Sequence, residues 1–193
     1  ISRGYSGHDV VTLAKRYDLY YSRASAQGGN SWRRRVLFPI RNEHGHLVNY
    51  TGRAIGNAKA RYKTLDGDNA GARMSECLFD LPTLFKRKGN VLVICEGPFD
   101  AMRIGWLGEA LGIHATCVFT QNVSDTQASL LTRLSYNYER TVVLFDQGAD
   151  LQAMRAQHTL GFERYTLPAG IKDPGNLQAG EVLNLCRQLL TVN

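Results

Sequence analysis

The chain has 193 residues, 44% of them hydrophobic and 21% charged, and carries a formal net charge of +6. These are globular values that exclude extensive disorder. No apolar run of membrane-spanning length and no basic-then-apolar leader is present, which predicts a soluble intracellular protein with no membrane partner. The length suits one domain or two small ones. The chain opens at Ile1 without a methionine, as an excised fragment or a processed product would. Residues 1–90 hold 16 Lys+Arg against 7 Asp+Glu, whereas residues 91–193 hold 7 against 10. A basic half beside an acidic half suits a polyanion held next to a metal, because phosphates are bound through charge neutralisation and counterion release. Cys77, Cys95, Cys117 and Cys186 are widely spaced with no CxxC pair, so buried free thiols are expected rather than zinc ligands or a disulfide framework.

Taken in order, Val10, Val11, Leu13, Ala14 and Tyr17 predict a short amphipathic helix starting near His8, packed as a lid on the downstream chain. Ala24 to Asn30 is small and Gly-rich and reads as a loop. Val36 to Ile40 and Leu47 to Thr51 are β-rich runs about a polar turn at Asn42 to Gly45, which predicts a hairpin; Pro39 puts its strand at an edge or a strand end. His44 and His46 flank Gly45 and read as solvated turn residues. A third extended piece is predicted around Arg61 to Thr64, completing a small antiparallel sheet, and a polar Gly-rich loop comes next at Asp66 to Gly71. Singly, Arg35, Arg53, Arg61 and Lys63 fit a merely soluble surface. As a set interleaved with Trp32, Tyr50 and Tyr62, they suit single-stranded nucleic acid, whose phosphates pair with cations and whose bases stack on rings at ~1–3 kcal/mol each.

From Val91 the texture changes. Strands are predicted at Val91 to Cys95, Thr116 to Phe119, Thr141 to Phe145 and, more weakly, Phe162 to Thr166. Helices are predicted between them at Phe99 to Leu107, Ser124 to Tyr136 and Ala149 to Leu160, with a last one at Leu177 to Leu190. Ser124 and Gln127 form a capping-box pair, and Gly161 is placed to stop the third helix. Alternating strands and helices imply a parallel sheet with right-handed crossovers. Glu96 closes the first strand, Asp100 falls in the first turn of the next helix, Asp146 closes the third strand and Asp173 lies beyond the fourth. Taken alone, Glu96 and Asp100 are equally well read as an ordinary strand end and helix start. Acids on three loops of one rim, however, repel each other unless cations neutralise them, which implies bound Mg²⁺ or Mn²⁺.

Glu96-Gly97-Pro98-Phe99-Asp100 resembles the EGxxD motif of the TOPRIM domain, and Phe145-Asp146 resembles the start of its DxD motif. The segment from Leu167 to Pro174 resembles the LP-x-G-x-DP element of bacterial and bacteriophage DNA primases. Upstream, Arg35 to Gly45 and then Gly52-Arg53 resemble the primase run of a basic residue, FPI, a turn and a GGR-like ending. Arg61-Tyr62 resembles the primase Lys-Tyr pair, and Leu78-Phe79-Asp80-Leu81 its LYGL. The likeness runs from about Arg33 to Leu177. Topoisomerases, recombination-repair proteins and related nucleases with a TOPRIM domain lack that upstream basic lobe, so the combination resembles the primases in particular.

The resemblance implies an α/β fold: a Rossmann-like TOPRIM parallel sheet with flanking helices over 91–193, preceded by a small basic α+β lobe with antiparallel strands over 1–90. It implies a DNA-directed RNA primase core that joins ribonucleoside triphosphates into short primers on a single-stranded DNA template. A replicative helicase is the implied partner, and the cytoplasm of a bacterial host, with a bacteriophage or mobile element as source, the implied setting. Glu96, Asp100 and Asp146 would be catalytic. Those three with Asp150 and Asp173 would hold Mg²⁺ or Mn²⁺, and Arg35, Arg53, Arg61, Lys63, Trp32 and Tyr62 would hold template and triphosphate. Two departures stand out: the second acid of DxD falls on Gly148, with Asp150 as the nearest substitute, and the cysteine-rich zinc module of primases is not seen before this region. A TOPRIM nuclease and a non-catalytic single-strand-binding replication module remain as alternative readings.

Overall fold

The β-rich runs of the basic half pair as their alternation predicts. The computed structural model describes residues 7–23, 32–56, 58–65, 67–120, 122–168 and 170–191. The predicted loop at Ala24 to Asn30 lies outside them, as do Asp66 and Ala169. Strands β1 (Tyr20–Ser22), β2 (Arg35–Arg41), β3 (Leu47–Ala54) and β4 (Tyr62–Thr64) form an antiparallel sheet in that order. β2 is therefore an inner strand, contrary to a simple edge reading of Pro39. Its partner β1 reaches only Arg35 to Leu37, so Pro39 lies beyond the paired stretch and no ladder bond is lost on that side. Phe38 and Ile40 point to the core and are fully buried.

Helix α1 (Gly7–Arg16) docks through Leu13 and, just past its end, Tyr17, whose ring stacks on Phe79 at 5.5 Å. Arg16 pairs with Asp80 at 2.8 Å. Burial of the two apolar side chains contributes about 1.5–3 kcal/mol each. The partly exposed ion pair adds at most ~1 kcal/mol. Apolar contact thus holds the helix and the ion pair fixes its register.

The second sheet is parallel, in the order β6-β5-β7-β8: β5 (Gly89–Cys95), β6 (Ile113–Cys117), β7 (Tyr138–Val143) and β8 (Glu163–Arg164). β5 is buried on both faces. Val91, Val93 and Cys95 pack towards α3 (Pro98–Gly108) and α6 (Ala179–Thr191), and Leu92 and Ile94 towards α2 (Leu81–Phe85), α4 (Asp125–Ser135) and α5 (Asp150–Leu160). That two-sided burial explains why β5 reads as an unbroken apolar run. The Ser124–Gln127 capping box is present, and Gly161 ends α5 in the left-handed conformation at φ 68°. Phe38 of the antiparallel sheet shares one hydrophobic cluster with Val91 and Val93 of the parallel sheet, so the two sheets pack over a common core. All four cysteines are buried and free. No described helix is long and apolar enough to cross a membrane.

Candidate active site

Chain order reverses at β5: the α3 crossover carries the chain to β6 on one side, and the α4 crossover returns it to β7 on the other. Such a switch point opens a crevice at the carboxyl ends of the strands. Glu96 leaves β5 and Asp146 leaves the end of β7 beside it, and the Asp146 amide donates to Glu96 Oε1 at 3.0 Å. Asp100, buried in the first turn of α3, accepts from the Gly175 amide through Oδ1 at 2.9 Å. The Gln147 amide donates to the Lys172 carbonyl at 2.8 Å, drawing the Asp173 segment to the same rim. Asp173 Oδ2 accepts from Asn176 Nδ2 at 2.6 Å. Gly97 is needed at its place because a Cβ there would stand 2.9 Å from Asp100 Oδ2. Glu96, Asp100, Asp146 and Asp173 thus line one pocket of about 200 Å³, with Arg53, Arg61 and Tyr62 on its other wall.

The electrostatics stem from this crowding. Burial, then Glu96 and then Asp173 push the Asp146 carboxyl up to about 7, against a small opposing pull from Arg61. Glu96 is raised too, by burial and by Asp100, with the Asp146 amide working against the rise. Asp146 Oδ1 is buried with no hydrogen-bond partner. Among the described residues, no three potential ligands are gathered tightly enough to hold an ion unaided. The donor set nevertheless fits Mg²⁺ or Mn²⁺: the oxygens are hard, the buried Asp146 Oδ1 accepts no hydrogen bond, and magnesium is commonly held by one or two carboxylates together with water and substrate phosphates.

Asp150 stands apart. It opens α5, its side chain is 67% exposed, and it faces Arg164 of β8 at 3.6 Å. The chain reaches it through Gly148, whose φ of +93° strains any residue other than glycine. The position where a second DxD acid would sit is therefore taken by a backbone turn.

The basic residues divide between two faces of the antiparallel sheet. Arg53 pairs across the ladder with Tyr62 and bonds its hydroxyl at 2.9 Å, with its guanidinium 5.0 Å from the Phe99 ring centre, on the face turned to the acids. Lys63 pairs across from Gly52 on the opposite face. Its ammonium lies 5.1 Å from the Trp32 ring centre, and Trp32 rests against Tyr50 at 4.9 Å. Gly52 allows this packing, since a Cβ there would come within 3.1 Å of Trp32. Arg35 is 5% exposed and donates to the carbonyls of Gly52 and Ala60 at 3.0 Å each, so its guanidinium braces the loop before β4 and does not face the pocket.

A larger cleft of about 800 Å³ adjoins the acids at Glu96 and Gly97 and runs along Thr64, Arg73, Ser75 and Phe119. Sequence reasoning singled out none of the last four. Gln127, the N3 partner in the capping box of α4, is buried and donates to the carbonyls of Cys77 and Val118 at 2.9 Å each and of Met74 at 3.2 Å, so it also holds the cleft wall at Met74. Phe119 has φ +61°, rare for an aromatic residue, and borders both cavities. Only the aromatic at the end of a predicted strand hinted at it.

No protein-family profile matches the chain. A DNA primase of Thermotoga maritima is 28% identical over 152 residues, covering 74% of this chain and 26% of the relative. A DNA primase of Deinococcus radiodurans is 30% identical over 163 residues, covering 78% of this chain and 27% of the relative. The chain therefore spans about a quarter of the length of these curated relatives. The solved structure of a DnaG primase catalytic domain bound to single-stranded DNA has the same fold, with TM-score 0.74 at 17% identity over 97% of this chain and 68% of that one. By sequence over about three quarters of its length (74% and 78%) and by fold over 97% of it, the chain is similar to the catalytic core of bacterial-type DNA primases.

Proposed function

We propose that the chain is the core of a DNA-directed RNA primase, which joins ribonucleoside triphosphates on a single-stranded DNA template. The reading rests above all on the pocket where Glu96, Asp100, Asp146 and Asp173 meet Arg53 and Arg61 beside the larger cleft. Residues 1–90 act as the nucleic-acid-holding lobe and residues 91–193 as the metal-binding catalytic domain. Glu96, Asp146 and Asp173 would hold Mg²⁺ or Mn²⁺, with Asp100 beside them. When bound, the ion lowers the pKa of the attacking 3′-hydroxyl and offsets charge on the α-phosphate and pyrophosphate. Glu96 acts through the oxygen not engaged by the Asp146 amide, either as a ligand of that ion or as the base that takes the hydroxyl proton. The 3′-oxygen then bonds to the α-phosphorus as the bond to pyrophosphate breaks. Arg53 and Arg61 orient the triphosphate, while Lys63 and Trp32 meet the template strand on the far face of the sheet. Arg35 serves both by bracing the loop between them. The DNA bound to the similar DnaG domain supports a template of this kind. Bacterial relatives support a cytoplasmic setting, and we further propose a replicative helicase as partner and a bacteriophage or mobile element as source.

Incubation with single-stranded DNA, ribonucleotides and Mg²⁺ or Mn²⁺ tests the reading: short oligoribonucleotides are expected, and shortened DNA without them would mean a nuclease. One observation favours a non-catalytic binding module, namely Asp150 committed to Arg164. Tight single-strand binding with no product and no heat of Mn²⁺ binding would establish that module instead.

A further inference from the structure

Among the described residues Arg103 is the largest fully buried side chain, 2% exposed, on a helix otherwise packed into the apolar core. A guanidinium is always charged, so sequestering it inside a hydrophobic cluster is costly, and an apolar residue of similar volume is often neutral or stabilising at such a place. What Arg103 does there is specific: its Nη2 donates to the Leu177 carbonyl at 2.5 Å. Three residues earlier on the same helix, and so on the same face, Asp100 Oδ1 accepts from the Gly175 amide at 2.9 Å. Between them these two side chains hold the middle residue and the C-cap of the 3-10 turn Pro174–Asn176, whose N-cap is Asp173. No regular strand holds this stretch: β8 ends at Arg164, and α6 begins only at Ala179.

We propose that Arg103 is a positioning residue for the acidic pocket: with Asp100 it makes α3 a two-point clamp on residues 173–177, and the clamp sets the Asp173 carboxylate against Glu96 and Asp146. The inference rests on the metal-dependent reading of that pocket for its consequence, though not for the clamp itself. Arg103 touches neither the ion nor substrate; it acts through the backbone that carries Asp173. The clamp holds in place an acid that lies beyond the last strand of the parallel sheet and before α6.

Two measurements on the whole chain test it, with Arg103→Met as the main variant. Amide hydrogen exchange of residues 172–178 in metal-free protein reads the clamp, and exchange at least tenfold faster than in the wild type is expected while β5 stays protected. Mn²⁺ titration by calorimetry reads the pocket, with affinity expected to fall about tenfold. In an Asp173→Asn background the same substitution should cost no further affinity, because its effect passes through Asp173. Arg103→Lys, which keeps the charge and a hydrogen-bond donor on a shorter side chain, should restore part of both losses. It carries the test alone should Arg103→Met fail to fold, with exchange and affinity then expected midway between wild type and complete loss. Wild-type exchange in a folded variant would overturn the clamp. Faster exchange with unchanged Mn²⁺ affinity would overturn its role in the pocket. A wild-type protein that binds no Mn²⁺ would overturn the metal reading and that role together, leaving the clamp to be judged by exchange.

Discussion

In the parallel sheet, Glu96 and Asp146 leave neighbouring strands at one rim and meet through a hydrogen bond. In the antiparallel sheet, Arg53 and Lys63 sit on adjacent strands and emerge on opposite faces. The contrast is geometric. Parallel strands all end at the same edge, so residues that close them converge whatever face each strand presents. Along an antiparallel ladder, successive side chains alternate between faces, so a run of cations is divided by its own spacing. The acids of this protein therefore form a pocket, and its cations form two surfaces with a sheet between them.

The sharpest way to break the convergent half of that comparison is Glu96→Gln. It should lower primer synthesis by about 10²–10³-fold, as for loss of a group acting in the transition state. Single-strand binding, measured by fluorescence anisotropy, should stay near the wild-type value, and unchanged primer yield would remove Glu96 from the chemistry. The divided half is probed by pairing Arg53→Ala with Lys63→Ala. Loss of a charge-assisted contact to the triphosphate costs about 1.5–3 kcal/mol, so Arg53→Ala should raise the nucleotide KM roughly 10–100-fold. Lys63→Ala should leave that KM alone and weaken binding of the DNA strand, in proportion to the salt dependence expected for one phosphate contact. Equal effects on KM would mean that the two faces act as one.

A smaller effect is expected from Asp146. Its carboxyl is raised to about 7 in the folded protein, whereas in the unfolded chain it ionises near the ordinary 3.8. The folded state thus holds the extra proton between those values, and the associated stability is present at low pH and lost as pH rises through 7. Allowing for solvent screening, the loss is of order ~1 kcal/mol, or about 2–4 °C in Tm for a chain of this size. Metal-free protein should melt lower at pH 8 than at pH 5.5; Asp146→Asn should flatten that slope, and Mn²⁺ should raise the Tm most at pH 8. Least affected of all should be Asp150→Asn. An exposed ion pair contributes at most ~1 kcal/mol, so primer synthesis should stay within about threefold of wild type. Abolished synthesis would bring Asp150 into the pocket after all.

Much of this was legible in the sequence where one rule decided the outcome. The unbroken apolar run of β5, the capping box at Ser124 and the stop at Gly161 are local signals, and each marks the element it predicts. Strand ends were less legible: β6 closes at Cys117 because Phe119 turns to positive φ, which no residue pattern announces. Arg35 reads as a surface cation, yet it is drawn inward by carbonyls of Gly52 and Ala60 that come near it only once β3 and β4 have paired. Asp150 is next to the rim in sequence, but the Gly148 turn and Arg164 on β8 orient it away, and both depend on tertiary geometry. Arg103 lay in a stretch where helical spacing speaks only of packing.

The docking of α1 has a practical bearing on any attempt to trim this protein. Leu13 and Tyr17 fill the same cluster as Phe38 and Phe79, and Arg16 neutralises Asp80 at the head of α2. A version shortened to begin at β1 would uncover the Phe79 ring face on which Tyr17 stacks and leave the Asp80 carboxylate without its Arg16 counter-charge. Expression of a minimal core should therefore start upstream of Gly7, because the first helix is a foundation of the fold and not a tail attached to it.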